Sequence, residues 1–191
     1  VEQTEQKGTG HAVLQALPQL ELDSVALVLY GDVPLLQPST LRPLLDLAKQ
    51  GPALLTAEMS DPSGYGRVVR DQTGRFVSVV EHKDATVEQL ALTEINTGVL
   101  AIPTSMLSAY LPKVGNQNSQ GEYYLPDVLP LAIADGHTVN TVCASDPIET
   151  EGVNTREQLA RLERIYQHRQ VLALMAVGVS FADPKRVDIR G

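Results

Sequence analysis

The 191-residue chain has no tryptophan and a single cysteine, Cys143. An intrachain disulfide needs two thiols, and structural zinc or iron–sulfur sites usually need several cysteines. One cysteine therefore excludes a disulfide framework and a cysteine-based metal cluster within this sequence. The composition best fits a reducing setting, so we expect a cytoplasmic location.

The chain is also poor in positive charge and in long apolar runs. It has 15 basic residues against 23 acidic ones, a formal net charge of -8, and its basic residues are mostly scattered singly. Such a chain repels the phosphates of nucleic acids and anionic lipids. The longest apolar runs are too short to span a bilayer. We therefore expect neither nucleic acid nor a membrane as a partner.

The sequence has enough apolar residues, 43%, to bury a sizeable core. The apolar run at 25–30 predicts a buried strand, and a helix pattern follows it, with Ser39 or Thr40 as the expected cap. Repeated alternation of this kind favours an α/β fold. Residues 66–82 interrupt the alternation because they predict two strands joined by a tight turn. Thr155 and Gln158 form a capping-box pattern before the longest predicted helix.

Asp32 follows the first predicted strand, and two interpretations of it remain open. Open α/β sheets bind ligands beyond the carboxyl ends of their strands, which would place this carboxylate in a site. Alternatively, Gly31 and Pro34 make an ordinary turn, since glycine permits unusual dihedrals and proline ends a ladder. Local sequence does not separate the two.

Other polar positions are equally ambiguous when each is taken alone. The segment Gly8-Thr9-Gly10 precedes a helix, where backbone N–H groups can approach a ligand, but such segments also occur in ordinary loops. Glu81 follows an apolar strand. Asn96 lies inside one, so its amide needs a partner in a ligand or in the neighbouring backbone. Asn154 precedes a helix cap, where turn chemistry is the alternative to ligand binding.

Taken together and in order, the motifs are more specific than their parts. They resemble the bacterial family of bifunctional N-acetylglucosamine-1-phosphate uridylyltransferase / glucosamine-1-phosphate N-acetyltransferase, and the resemblance covers nearly the whole chain. The motifs are GTGHA, LYGDVPLL, DPSGYGRV, VEHKDAT, EINTGVL, QGEYYLPDV and EGVNTREQLARLE.

The resemblance implies a Rossmann-like nucleotide-diphospho-sugar transferase fold, in which helices flank a mixed, mostly parallel sheet with an inserted β-hairpin. Residues 1–177 would form part of the uridylyltransferase domain, and 178–191 a linker toward a left-handed β-helix domain. The family's first strand and its glycine-rich loop with the catalytic lysine would precede Val1. This chain is therefore expected to be a fragment, inactive alone, with no catalytic residue beyond its metal ligands.

The resemblance also implies roles for individual residues. The expected nucleotide contacts are Gln3, Gly8, Thr9, Tyr30, Gly31 and Asp32. The expected sugar contacts are Gly66, Glu81, Asn96 and Asn154. Asp32 and Asn154 would bind Mg2+, an ion that prefers hard oxygen donors and is held by few protein groups together with substrate phosphates.

The implied reaction joins UTP and N-acetylglucosamine 1-phosphate into UDP-N-acetylglucosamine and pyrophosphate, a step toward peptidoglycan and lipopolysaccharide. The whole protein is expected also to acetylate glucosamine 1-phosphate and to form a homotrimer through the β-helix domain. Two alternatives are another sugar-nucleotide pyrophosphorylase and a non-catalytic regulatory subunit with the same fold. The motifs VEHKDAT and QGEYYLPD argue against the first, and the joint presence of Asp32, Glu81, Asn96 and Asn154 argues against the second.

Overall fold

The computed structural model describes residues 1–189, which form one six-stranded sheet with helices on both faces. The strands are β1 Val25–Val28, β2 Ala53–Glu58, β3 Arg67–Arg70, β4 Phe76–Val80, β5 Glu94–Pro103 and β6 Asn140–Cys143. The α-helices are α1 Thr9–Ala16, α2 Pro38–Ala48, α3 Val87–Leu90, α4 Thr104–Tyr110, α5 Val128–Ala134 and α6 Arg156–Ala176. None of the described helices is long and apolar enough to cross a membrane.

Strand β5 is the centre of the sheet and contacts three other strands. It pairs antiparallel with β1, β2 and β3, while β2 also pairs parallel with β6 and β3 forms a hairpin with β4. The predicted α/β class, the mixed sheet and the inserted hairpin are confirmed. The expectation of a mostly parallel sheet is wrong, because four of the five described strand pairings are antiparallel. The reason is that β5 runs opposite to β1, β2 and β3.

The core lies on both faces of β5, and eight of its ten residues are buried. Successive side chains of a strand point to opposite faces. Leu100 and Ile102 accordingly pack with residues of α4 and α5, whereas Val99 and Ala101 pack with Leu44 and other residues of α2 and β2. Burying one such side chain stabilises the fold by about 1.5 to 3 kcal/mol, which explains the apolar sequence of this strand.

Helix α2 begins differently from the expectation. Its N-cap is Gln37, whose side chain makes no capping bond, and its first residue is Pro38. The prediction that Ser39 or Thr40 caps this helix is therefore wrong. Proline suits the first helical position because its fixed φ is already helical and its missing N–H would have no partner there. The Thr40 hydroxyl donates instead to Oε2 of Glu149 at 2.5 Å.

Helix α6 begins with the predicted capping box. The Thr155 side chain accepts a hydrogen bond from Gln158 N at 3.1 Å, and the Gln158 side chain accepts one from Thr155 N at 2.9 Å. After the helix the chain turns back onto it, since Arg164 donates to the Val187 carbonyl oxygen at 2.9 Å. The division of the chain at residue 177 stays a prediction.

The capping box yields a stability test. Thr155→Ala removes the oxygen that accepts from the third helical N–H, so we expect the free energy of unfolding to fall by about 1 kcal/mol. Thr155→Ser keeps that oxygen and should cost much less. Urea denaturation followed by circular dichroism measures both variants. Equal losses in the two variants would contradict a capping role for the hydroxyl.

Candidate functional site

A cleft of about 350 Å³ lies where the sheet meets the base of the β3–β4 hairpin and the loop before α6. Its walls come from four separate parts of the chain: the segment after β1, the hairpin, the start of β5 and the loop before α6. The cleft brings together six residues that the sequence singled out, namely Tyr30, Asp32, Gly66, Glu81, Asn96 and Asn154.

A bulge in β5 shapes the floor of this cleft. Leu54 pairs with Leu100 and Thr56 pairs with Asn96, so three residues of β5 lie opposite the single residue Leu55. The Thr97 hydroxyl donates to the Leu55 carbonyl oxygen at 2.7 Å and stabilises the irregular pairing. Bulges of this kind bend a strand and redirect its side chains.

The bulge fixes the orientation of the buried Asn96 side chain. Its Oδ1 accepts a hydrogen bond from Gly98 N at 2.9 Å, and Asn96 N donates to the Gly66 carbonyl oxygen at 2.8 Å. The amide oxygen therefore has its partner in the neighbouring backbone, as one of the two earlier interpretations expects. The two N–H donors on Asn96 Nδ2 have no hydrogen-bond partner among residues 1–189. They remain available to a ligand bound in this part of the cleft.

Tyr30 packs directly on Gly98. Gly98 has φ +81°, and a Cβ on this residue would overlap the Tyr30 ring. Burial raises the pKa of the Tyr30 hydroxyl above its ordinary value, and the carboxylates of Glu81 and Asp32 raise it further, while a hydrogen bond with Thr9 opposes this shift. Tyr30 is therefore a neutral ring that forms one wall of the cleft at physiological pH.

Glu81 is an acid held in an environment that disfavours its charge. Burial raises the pKa of its carboxyl group, and the nearby carboxylates of Asp127, Asp84 and Glu122 raise it further. No hydrogen bond or ion pair joins this carboxyl group to another side chain within the described part of the chain. A Cβ on Gly66 would lie 3.1 Å from Oε1 of Glu81, so the missing side chain leaves room for the carboxylate. A ligand with donor groups would compensate this burial.

Asp32 and Asn154 approach each other across Gly152. A Cβ on Gly152 would lie 3.4 Å from Oδ2 of Asp32 and 3.8 Å from Nδ2 of Asn154. The two segments are joined by the bond from Val153 N to the Asp32 carbonyl oxygen, 2.8 Å long. The backbone N–H of Asn154 binds Gln158, so Gln158 rather than the Asn154 side chain performs the turn chemistry.

The donor set of this pair fits Mg2+. The pair offers the Asp32 carboxylate and the oxygen of the Asn154 amide, whose Nδ2 is the atom nearest Gly152, and oxygen donors of both kinds are hard ligands. The described residues contain no group of three or more His, Cys, Asp or Glu side chains that could hold a metal. Two protein ligands are nevertheless enough for Mg2+, because substrate phosphates and water supply the rest.

Four of the predicted nucleotide contacts are not among the residues that line the cleft: Gln3, Gly8, Thr9 and Gly31. The Gly8–Gly10 segment is bound to the chain near Tyr123. Gly10 N donates to the Tyr123 carbonyl oxygen at 2.8 Å, and a Cβ on Gly8 would lie 2.8 Å from that same oxygen. The Gly10 N–H is therefore not open to a ligand, and close packing of two backbones explains both glycines.

Sequence analysis missed several residues that line the cleft, among them Tyr65, Thr97, Gly98 and Gly152. Gly98 carried a signal, because an isolated glycine in an apolar strand indicates a bulge or a close approach. Gly152 carried none, since its importance comes from Asp32, a residue far away in the sequence.

The fold and the cleft define a class of protein: an α/β protein with a polar cleft at the edge of a mixed sheet. Residues 1–147 match the family model described as Nucleotidyl transferase, and the chain belongs to this family.

Curated relatives resemble nearly the whole chain. The chain is 56% identical to "Bifunctional protein GlmU" of Azotobacter vinelandii over 99% of its length, and 53% identical to the protein of the same name from Chromobacterium violaceum over 100%. It spans 42% of the length of each of these relatives. The whole relatives are thus more than twice as long as this chain.

Solved structures share the fold at low sequence identity. A UDP-glucose pyrophosphorylase complexed with UDP-glucose matches with a TM-score of 0.59 and 18% identity, over 74% of this chain and 56% of that one. A provisionally assigned glucose-1-phosphate thymidylyltransferase from Bacillus anthracis, in complex with a sucrose, matches with a TM-score of 0.60 and 16% identity, over 95% and 66%. At these identities the likeness concerns the fold alone.

The contact between Tyr30 and Gly98 predicts a steric effect of substitution. Gly98→Ala places a methyl group against the ring at a positive φ, so it should destabilise the protein and displace Tyr30. Gly74→Ala is the matched control, because Gly74 has φ +82° with open space around its Cβ position. We expect the loss in unfolding free energy to be larger for Gly98→Ala by about 1 to 3 kcal/mol.

A double-mutant cycle identifies the cause of that difference. Removing the ring with Tyr30→Ala should make Gly98→Ala less costly than it is in the parent protein. Additive losses in chemical denaturation would show that the ring is not what the methyl group meets.

The raised pKa of Glu81 predicts a pH-dependent stability. Because the folded state favours the protonated carboxyl, this stabilisation is fully present below the ordinary value of 4.5 and is lost as the pH rises through the raised folded pKa. Glu81→Gln resembles the protonated form, so it should melt at a higher temperature than the parent at pH 8 and at a similar temperature at pH 4. The exposed Glu2→Gln is the control and should change neither melt. A lower melting temperature for Glu81→Gln at pH 8 would contradict the assignment.

Proposed function

We propose that this chain supplies much of the substrate cleft of a uridylyltransferase, which converts UTP and N-acetylglucosamine 1-phosphate into UDP-N-acetylglucosamine and pyrophosphate. The observation that carries the proposal is the convergence of Tyr30, Asp32, Gly66, Glu81, Asn96 and Asn154 on one cleft. Relatives at 50 to 56% identity named "Bifunctional protein GlmU" support it.

The sugar half of the cleft has groups that complement N-acetylglucosamine. Asn96 has amide donors without a partner in the described part of the chain, and Glu81 has acceptor oxygens in a partly buried position. Hydroxyl and acetamido groups of the sugar would pair with both, while the Gly66 backbone lies beside them without a side chain. A sugar that lacks these groups would leave buried polar atoms unpaired, which is a strong basis for discrimination.

The nucleotide half would be formed by Tyr30, Gly31 and Asp32 together with the neighbouring Gln3, Gly8 and Thr9. Thr9 lies close enough to the Tyr30 hydroxyl to lower its pKa, so the two groups of residues are neighbours. Asp32 and Asn154 would hold Mg2+, which neutralises phosphate charge when bound. Asn154 would serve both the metal and the sugar nucleotide.

In the proposed reaction an oxygen of the sugar 1-phosphate attacks the α-phosphorus of UTP. A new phosphorus–oxygen bond forms, and the bond between the α-phosphorus and its bridging oxygen breaks, releasing pyrophosphate. Phosphoryl transfer of this kind depends mainly on positioning and charge neutralisation. The cleft residues therefore bind and orient the two substrates, and no covalent intermediate with the protein is required.

Further properties of the whole protein belong to the same proposal. We place the cationic lysine of the phosphate-binding loop, the acetylation of glucosamine 1-phosphate and the homotrimer interface in parts of the protein outside these 191 residues. We also place the protein in the cytoplasm, where both substrates are available. A pyrophosphorylase for another sugar is the second candidate, since two such structures share the fold.

Substitution of Asp32 tests the proposed function. In the full-length gene product, Asp32→Ala should lower the rate of Mg2+-dependent uridylyl transfer by about 100-fold or more, because a metal ligand is lost. Asp46→Ala is the control: Asp46 is an exposed carboxylate on α2 whose partner is Lys49. Acetyl transfer, assayed on the same samples, should be unchanged in both variants. Uridylyl transfer near the parent rate in Asp32→Ala would leave Asp32 with only the turn role.

A further inference from the structure

The loop at 61–66, which leads into β3, forms one wall of the cleft. Its last four residues line the cleft: Ser63, Gly64, Tyr65 and Gly66. Glu81 lines the cleft from the other end of the hairpin, directly after β4. The two segments that flank the open end of the hairpin therefore belong to one cleft, and whatever joins them determines how the loop lies relative to Glu81.

The loop is a tight turn whose own hydrogen bonds do not use the Gly64 N–H. Tyr65 N donates to the Pro62 carbonyl oxygen at 3.2 Å, which closes a four-residue turn with φ +85° at Gly64. A positive φ at the third position is typical of a type II turn and favours glycine there. Ser63 N donates to Oδ1 of Asp61 at 3.1 Å. The Gly64 N–H, between these two donors, is left to a partner outside the turn.

That partner is the side chain of His82, the residue after Glu81. Gly64 N donates to Nδ1 of His82 at 3.3 Å. A backbone N–H only donates, so Nδ1 must offer its lone pair, and the proton of the neutral imidazole is on Nε2. Nε2 has no hydrogen-bond partner among residues 1–189, so no described group opposes this arrangement. His82 lies in a second turn, which is closed by the bond from Asp84 N to the Glu81 carbonyl oxygen, 2.9 Å long.

Two further bonds hold the end of the loop that adjoins β3. Asn96 N donates to the Gly66 carbonyl oxygen at 2.8 Å, and the guanidinium group of the buried Arg67 donates to the Tyr65 carbonyl oxygen. Neither bond reaches the first four residues of the loop. Within the described part of the chain, His82 is the one residue outside the loop that forms a hydrogen bond with 61–64.

The bond to His82 therefore connects the tip of the loop to the segment that carries Glu81. It holds two walls of the cleft together before any ligand is present. A wall that is already in place need not be ordered when a ligand binds, and this ordering would otherwise reduce the affinity. Without the bond, the affinity for a ligand that contacts both walls should fall by about the contribution of one hydrogen bond.

We propose that His82 is a positioning residue for the sugar half of the cleft: its Nδ1 binds the Gly64 N–H and holds the loop at 61–66 beside Glu81. The proposal rests on the proposed function, in which Gly66 and Glu81 contact the sugar. It adds a residue that is not part of the cleft lining and acts through the loop. It also assigns the effect of this residue to the sugar phosphate rather than to UTP.

The test measures KM for N-acetylglucosamine 1-phosphate and for UTP in the full-length gene product. His82→Leu removes the acceptor, so KM for the sugar phosphate should rise about fivefold, while KM for UTP and kcat stay within about twofold of the parent values. His82→Asn should restore most of the loss, because its Oδ1 is an acceptor bonded to Cγ, as Nδ1 is in histidine. His137→Leu, the same change at an exposed histidine after α5, is the matched control and should alter neither KM.

A KM for the sugar phosphate in His82→Leu equal to that of the parent would overturn the inference while leaving the proposed function intact. Equal rises in both KM values, or a rise in His82→Asn as large as in His82→Leu, would overturn it as well, since a general structural defect produces either result. A parent protein that does not use N-acetylglucosamine 1-phosphate would overturn the proposed function and the inference together.

Hydrogen–deuterium exchange tests the contact without any substrate. In the full-length gene product, the Gly64 amide within the peptide at 61–66 should exchange about fivefold faster in His82→Leu than in the parent, and at nearly the parent rate in His82→Asn. Peptides from β5 should exchange as in the parent in both variants. An unchanged rate for the loop in His82→Leu would overturn the inference. Loss of protection in β5 as well would also overturn it, because His82 would then support the whole fold rather than the loop.

Discussion

The bulge in β5 is the constraint on which the candidate site depends. It lets one strand complete its pairing with β2 while three residues depart from the regular ladder. The departure turns the Asn96 amide toward the cleft, and the positive φ of Gly98 brings a backbone without a side chain against Tyr30. A regular strand here would bury Asn96 in the sheet and place a Cβ where the ring lies. The irregularity thus converts part of the core strand into the floor of a cleft.

The cleft also contains a carboxyl group whose charged form is destabilised by its surroundings. Glu81 is partly buried among other carboxylates, and Asp127 nearby has a raised pKa for the same two reasons, burial and a neighbouring acid. Glu94, by contrast, is paired with Arg70. Unpaired acceptors and donors concentrated in one concave region are typical of a ligand site, because the ligand supplies the missing partners.

Much of the architecture follows from short-range patterns. The apolar runs predicted the buried strands, the turn between β3 and β4 predicted the hairpin, and the capping box at Thr155 predicted the start of α6. Patterns of this kind are local, so neighbouring residues are sufficient to indicate them. The predicted cap of α2 was wrong because the helix begins at Pro38, which precedes the hydroxyl residues Ser39 and Thr40. The expectation that most strands pair in parallel was also wrong. The relative direction of two strands depends on how distant segments meet in the sheet, and hydrophobic periodicity carries no information about that.

The sequence by itself determined the α/β class, the positions of most elements and the set of polar residues worth considering at strand ends. It left Asp32, Asn96 and Asn154 each with a turn or backbone alternative, since a single residue and its neighbours carry no information about distant partners. Only the tertiary structure decided that the Asn154 side chain lies near Asp32 and that the glycines at Gly8 and Gly10 serve packing against Tyr123. It also decided that, among residues 1–189, the Asn96 oxygen has a hydrogen-bond partner while the Asn96 nitrogen and the Asn154 side chain have none. These outcomes depend on contacts between segments dozens of residues apart, and such contacts form only when the sheet and its helices have packed around β5.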